Sequence, residues 1–166
     1  NNKVFYEVLQ SLSLIENMTK YTQRELGGSF EELIGFIASD AGRKSLGFYT
    51  PRSITKLLTQ ITLEGKEIQP ELSVYDPTMG SGSLLLSAYQ YFHNHNSITF
   101  YGQELNFFTY NLARMNMFFH GIQFKKQHLH RGDTLGLDWP TKGQTEFDAV
   151  LMNPPYSVKW LAEEGY

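Results

Sequence analysis

The sequence predicts an α/β protein with a mostly parallel sheet, preceded by a helical segment. Two observations carry the sheet: strand-like and helix-like patterns alternate from residue 72 onward, and a glycine turn follows the first strand. A third observation, apolar residues at spacings of three and four before residue 50, carries the helices. We therefore expect an N-terminal helical segment over 1–47 and a ligand-binding α/β domain over 48–166.

Taken in order, "VFYEVLQSLSLIENM" (4–18) has helical periodicity, and "SFEELIGFIASDAGR" (29–43) opens with Ser29 and Glu32 in capping-box order. In "FYTPRSITKLLTQI" Thr50 stands where an N-cap belongs and Pro51 at the first helical position, with Ile54, Leu57, Leu58 and Ile61 along one stripe. After a polar connector, "LSVYD" (72–76) reads as a strand, "GSGSLLLSAYQYF" (80–92) as a turn and helix, and "ITFYGQE" (98–104) as a second strand. "NFFTYNLARMNMFFH" (106–120) is a helix that Gly121 stops, with Phe108, Leu112, Met115 and Phe119 as its expected core stripe. "QHLHRGD" is a weaker third strand and "FDAVLMN" (147–153) a fourth. Right-handed crossovers between such units cover both faces of the sheet.

Composition narrows the function. With 41% apolar residues and 14% aromatics the chain can build a real core. No run reaches the about 18 uncharged apolar residues of a membrane span, and the start lacks the order of a signal peptide, so the expected location is cytoplasmic. The absence of cysteine excludes disulfides and thiolate metal sites. A net charge of −3 argues against a domain that grips nucleic acid alone, and Lys125 and Lys126 read as solvated loop charges. His93 and His95, like His128 and His130, have an i, i+2 spacing but no evident third ligand, so no metal site is expected. No Gly-x-Ser-x-Gly elbow supports acyl transfer. Because the chain starts at Asn1 and not at Met, we expect a fragment of a longer protein.

Three acids end successive strands. Asp76 precedes Gly80, Ser81 and Gly82, a turn whose glycines let backbone approach a ligand and whose helix N-terminus offers free N–H groups to an anion. That Gly-x-Gly alone is equally well a tight turn. Glu104 can accept from both hydroxyls of a ribose, and Asp133 from the exocyclic amine of an adenine. Together they describe a pocket for an adenosine with a charged tail. "NPPY" closes the fourth strand: Asn153 and the φ-locked Pro154 present two carbonyl acceptors to one –NH₂ group, Pro155 stiffens the loop, and Tyr156 offers a flat face for stacking. An aromatic amine is a poor nucleophile because its lone pair is delocalised. Acceptors that hold its hydrogens out of plane and stabilise developing charge address that difficulty. In a 3-2-1-4 strand order this loop sits beside the glycine turn, where the winding reverses.

These residues resemble the modification subunits of type I restriction-modification systems, S-adenosylmethionine-dependent adenine-N6 DNA methyltransferases. The matching pieces are "GFYTPRSITKLL", "VYDPTMGSGSLL", "FYGQELN", "LARMNMFFHGI", "RGDTL" and "FDAVLMNPPY", in the family's order over about residues 25–158. The resemblance implies a class I S-adenosylmethionine-dependent methyltransferase (Rossmann-like) sheet, truncated after Tyr166. It also implies that Phe48, Tyr49, Thr50, Pro51 and Arg52 close over the methionine end of S-adenosylmethionine, above Asp76 and Gly80 to Gly82. Glu104 would hold the ribose, Asp133 the adenine, and Asn153 to Tyr156 would form the catalytic loop. DNA is the implied substrate, with a DNA-specificity subunit and a restriction subunit as partners and no membrane. Two alternatives stay open: the same donor acting on protein glutamine or RNA guanine, and a non-catalytic cofactor-binding subunit.

Overall fold

Four parallel strands in the order β3-β2-β1-β4 form the centre of the molecule: β1 (Leu72–Asp76), β2 (Ile98–Glu104), β3 (Gln127–Arg131) and β4 (Ala149–Val150). This computed structural model describes residues 20–40, 49–66, 69–92, 98–136 and 146–156. The helices are α1 (Gln23–Asp40), α2 (Arg52–Leu63), α3 (Ser83–Tyr91) and α4 (Phe107–Phe119), and a short 3₁₀ turn, Phe124–Lys126, leads into β3. The readings over 4–18 and at Phe48, His93 and His95 lie outside the described residues, as does the expected boundary at 47/48.

Strands buried on both faces carry near-continuous apolar runs, which is why β1 and β2 were easy to find. Val74, Ile98 and Phe100 are fully buried, and with Leu85, Leu86, Ala113 and Met117 they form the core between sheet and helices. Each large apolar side chain so buried contributes about 1.5–3 kcal/mol. β1 pairs with β2 over its whole length, so Asp76 lies opposite Gly102. β4 is shorter than the expected 147–153: only Ala149 and Val150 pair, with Val74 and Tyr75, and the Leu151 N–H donates to the Tyr75 carbonyl at 2.9 Å. Before it, the Asp148 carboxylate accepts from the backbone and hydroxyl of Ser73, both at 2.7 Å, which holds that carboxyl below its ordinary range and locks the start of the pair. Proline at 154 and 155 then ends the ladder by removing two donors.

The structure corrects three further sequence expectations. The helix does not open at Ser29. Thr22 and Glu25 form the capping box seven residues earlier, with the Thr22 N–H donating to the Glu25 carboxylate at 2.8 Å, and α1 runs through Gly27 and Gly28. A glycine pair in a helix costs about 2 kcal/mol. Gly27 is nonetheless needed, since a Cβ there would meet the His120 ring at 2.7 Å and prevent α1 from packing on α4, where Phe30 and Phe119 stand 4.8 Å apart. At α2, Pro51 and not Thr50 is the N-cap, and no side chain caps the helix; the Thr50 hydroxyl is engaged elsewhere. The apolar stripe of α2 is mostly outside: Ile54, Leu57 and Ile61 are exposed, while Thr55, Thr59 and Leu63 are buried. On α4, likewise, Phe108 and Met115 are exposed, and the buried face is Thr109, Leu112, Ala113, Asn116 and Met117. In both helices threonine, alanine or asparagine shares the inward face with Leu63, Leu112 or Met117.

Candidate functional site at the carboxyl edge of the sheet

The end of β1 is Asp76, 1% exposed. One of its oxygens, Oδ1, accepts from the Thr78 N–H at 2.9 Å; Oδ2 has no protein partner among the described residues. Burial pushes the carboxyl up to about 7, opposed by the Thr78 hydrogen bonds and assisted by the nearby Glu104 charge. After it the chain turns sharply. The Met79 N–H donates to the Gln103 carbonyl at 2.9 Å and the Gly82 N–H to the Met79 carbonyl at 2.7 Å. Gly80 and Gly82 have φ of 53° and 79°, the left-handed region in which a Cβ is strained, and Gly82 caps α3. Ser81 is fully buried, and its hydroxyl also has no protein partner among the described residues.

Glu104 ends β2, half-buried, and its Oε1 accepts from the Asn106 N–H at 2.7 Å. Asn106 caps α4 by accepting from the N–H groups of Phe108 and Thr109 at 2.9 and 3.1 Å. Past β3, the Gly132 N–H reaches the Glu104 carbonyl at 3.2 Å, the Leu135 N–H donates to Asp133 Oδ1 at 3.0 Å, and the Thr134 hydroxyl donates to the Pro77 carbonyl. These bonds tie the β3 loop to the loops after β1 and β2. The structure thus brings the ends carrying Asp76, Glu104 and Asp133 onto one edge.

The loop after β4 joins them from the other side. Asn153 Nδ2 donates to the Thr50 hydroxyl at 3.1 Å, and the Tyr156 hydroxyl donates to Asn153 Oδ1 at 2.9 Å. Tyr156 is 92% exposed, Asn153 and Pro154 are half-buried, and Pro155 is exposed. Thr50 is buried, Tyr49 half-buried against Gly35, and Pro51 exposed at the head of α2. Arg52 points to α1: its Nη2 lies 2.8 Å from Glu31 Oε2, and His120 Nε2 is 3.8 Å from the same oxygen. A groove of about 870 Å³ flanks this ion pair between α1, α2 and α3. It includes Arg52 and Ser83 but none of Asp76, Glu104, Asp133 or Asn153, so it is distinct from the strand-end cradle.

Several contributors escaped sequence reasoning. Asn116, fully buried on α4, donates to the Ser81 carbonyl at 3.0 Å and anchors the glycine turn from behind. Gln103, 1% exposed within an otherwise apolar strand, accepts from the Tyr75 hydroxyl and holds Met79 through its backbone. A polar residue in a buried run was the available signal for both. No group of His, Asp or Glu able to hold a metal occurs among the described residues. His128 stacks on Tyr101 with 4.8 Å between ring centroids.

An inward carboxylate oxygen and a buried hydroxyl without protein partners, beside a glycine turn and a second strand-end acid, form a donor and acceptor set that fits a cationic nucleoside such as S-adenosylmethionine.

Known proteins share both the sequence and the fold. Residues 22–166 match the family model described as N-6 DNA methylase. The chain is 34% identical over 168 residues to the type I restriction enzyme MpnII methylase subunit of Mycoplasma pneumoniae, covering 95% of this chain and 31% of that protein. It is 47% identical to the crystal structure of a type I restriction-modification system methyltransferase subunit from Streptococcus thermophilus, with a TM-score of 0.83, covering 95% of this chain and 33% of that one. At 15% identity and a TM-score of 0.63, a putative class I S-adenosylmethionine-dependent methyltransferase from Listeria monocytogenes shares the fold over 82% of this chain and 41% of that one. The chain spans about a third of the length of the first two. Its sheet is that of the class I S-adenosylmethionine-dependent methyltransferases, and the chain belongs to the N-6 DNA methylase family.

Proposed function

We propose that this chain is the cofactor-binding and catalytic portion of a site-specific DNA adenine-N6 methyltransferase, the modification subunit of a restriction-modification system. The observation that carries the reading is that the loop bearing Asn153 follows β4, the strand paired beside β1, and so leaves the same sheet edge as the strand-end cradle where the winding reverses. Membership of the N-6 DNA methylase family and the likeness to type I methylase subunits support the choice of adenine in DNA.

S-adenosylmethionine, when bound, supplies an electrophilic methyl group on a sulfonium. The residues that would hold it are Asp76, the turn Gly80 to Gly82, Glu104 and Asp133, with Tyr49 to Arg52 on the other side of the cleft. Asp76 and Glu104 would accept from its cationic and hydroxyl groups, and the N-terminus of α3 would receive its carboxylate. Asn153 Oδ1 and the Pro154 carbonyl accept the two hydrogens of the target amine. They draw its lone pair out of conjugation and stabilise the positive charge that grows on nitrogen as it attacks. Tyr156, exposed on the lip of the loop, stacks on a base turned out of the duplex. Transfer leaves a positively charged methylated amine, which becomes a strong acid and releases its proton after the methyl has moved.

DNA reaches this site with help. A net charge of −3 cannot supply the phosphate contacts of a duplex-binding domain, and a DNA-specificity subunit and a restriction subunit are the partners this reading assigns. Among the described residues no helix is long and apolar enough to cross a membrane, in keeping with a protein that acts on DNA in the cytoplasm.

The test is transfer of tritiated methyl from S-adenosylmethionine by the whole protein, with and without its specificity partner, to DNA, RNA and protein. Label in DNA adenine is expected. Label in guanine of RNA or glutamine of protein, with none in DNA, would overturn the assignment.

A further inference from the structure

We infer that Thr134 is a positioning residue, whose hydroxyl ties the loop bearing Asp133 to the turn after Asp76 and so fixes the adenine end of the cofactor cleft. This rests on the reading of Asp133 as the acceptor for the adenine amine. In the sheet β2 lies between β1 and β3, so no ladder hydrogen bond joins their ends, which stand two strand spacings, about 9–10 Å, apart. Three hydrogen bonds link the loops in a ring instead. The Met79 N–H donates to the Gln103 carbonyl at 2.9 Å, joining the β1 loop to β2, and the Gly132 N–H donates to the Glu104 carbonyl at 3.2 Å, joining the β3 loop to β2. The Thr134 hydroxyl, donating to the Pro77 carbonyl, closes the ring between the first loop and the third. A carbonyl only accepts, so the direction of that bond is fixed. It is also the one of these three made by a side chain, and a substitution can remove it while both backbone bonds stay.

Both ends of this tether are stiff. Pro77 directly follows Asp76, is buried, and has its φ locked by the ring. The Thr78 N–H holds Asp76 Oδ1 at 2.9 Å, so the Pro77 carbonyl and the Asp76 carboxylate belong to one fixed turn. At the other end a turn winds around Asp133: its Oδ1 accepts from the Leu135 N–H and its carbonyl from the Gly136 N–H, both at 3.0 Å. Thr134, half-buried, is the neighbour of Asp133 in that turn, and Leu135 after it is exposed. Without the hydroxyl the loop keeps its bond at Gly132 but loses its hold on the far wall of the cleft. A hydrogen bond weakens steeply as distance and angle depart from the optimum, so the cost falls on the adenine amine.

The experiment uses the whole protein and reads calorimetric affinity for two probes, S-adenosylhomocysteine and S-inosylhomocysteine, which carries an oxygen in place of the exocyclic amine. The wild type should prefer the adenosyl probe by about tenfold or more, the scale of one hydrogen bond to a charged acceptor. Thr134→Val is expected to weaken adenosyl binding by about fivefold or more and inosyl binding by less than about twofold, so the preference narrows. Thr134→Ser, which keeps the hydroxyl, should restore it, and Thr134→Ala serves if Thr134→Val folds poorly. Asp133→Ala should abolish the preference, and adding Thr134→Val to it should change the ratio no further, because Thr134 acts through Asp133. An undiminished preference in Thr134→Val, an equal weakening of both probes, or a loss that Thr134→Ser does not restore would each overturn the positioning role, while a lost preference in Asp133→Ala would still uphold the adenine reading. A preference that survives Asp133→Ala, or a wild type with none, would remove that reading and this inference with it.

Discussion

Asp76, proposed to bind the cofactor, is held in the fold at the expense of stability. Its carboxyl stands at about 7 in the fold against an ordinary 3.8, chiefly because burial penalises the charge. Between those values the folded chain keeps a proton that the unfolded chain has lost. The contribution to stability is therefore fullest below about 4 and declines as pH rises to about 7. Asp76→Asn should consequently raise stability at pH 8, by roughly 1–3 kcal/mol, and leave it little changed near pH 4. Chemical denaturation at the two pH values measures this, and a variant less stable than wild type at pH 8 would show that the carboxylate is satisfied within the protein. The same proton couples to the ligand. A cationic cofactor favours the ionised form, so S-adenosylmethionine affinity should rise from pH 5.5 to pH 8, with proton release detected by calorimetry in buffers of different ionisation enthalpy. Affinity flat across that range would remove Asp76 from the cofactor site.

At the scale of elements, the glycine turn between β1 and α3 is built from both sides, by its own left-handed glycines and by Asn116 reaching in from α4. Gly82→Ala forces a Cβ into φ near 79° at the cap of α3, although Ala113 leaves ordinary contact space at 3.6 Å. The expected cost is about 1–2 kcal/mol of stability, from backbone strain alone. Asn116→Leu strips the Ser81 carbonyl of its buried donor and should cost about 1–3 kcal/mol, with weaker cofactor binding as the turn loosens. Thermal denaturation with and without S-adenosylmethionine checks both; a Gly82→Ala protein of full stability would place the strain elsewhere. Much of this architecture was legible. Fully buried parallel strands announce themselves as apolar runs, so the strands and the acids that end them could be read from residues 72–156, whereas the order 3-2-1-4 was a supposition until the structure showed it. The helix faces could not. Ile54, Leu57 and Ile61 form a clean apolar stripe, yet periodicity tells which face is apolar and not which face is covered, and in α2 the buried face carries Thr55 and Thr59. Nor could the link between Thr50 and Asn153 be read, since it arises only when α2 and β4 meet in space.

For the whole molecule, the separation of tasks follows from charge and size. Under the proposed reading a domain of net charge −3 that spans about a third of its relatives holds a nucleoside and a catalytic loop, and a partner supplies the phosphate contacts to a duplex. In a gel-shift assay at physiological salt this chain alone should bind duplex DNA feebly and without sequence preference, and tight binding to a unique site would contradict the division. The central claim, that the loop after β4 holds the reacting amine while the cradle holds the cofactor, is tested most directly by Asn153→Ala in the whole protein. Melting temperature, S-adenosylmethionine affinity and single-turnover methyl transfer are measured on the same preparation. The account predicts a stable protein with cofactor affinity nearly intact and transfer slowed by a factor on the order of 10² or more. A stable Asn153→Ala protein that transfers methyl at the wild-type rate would contradict it.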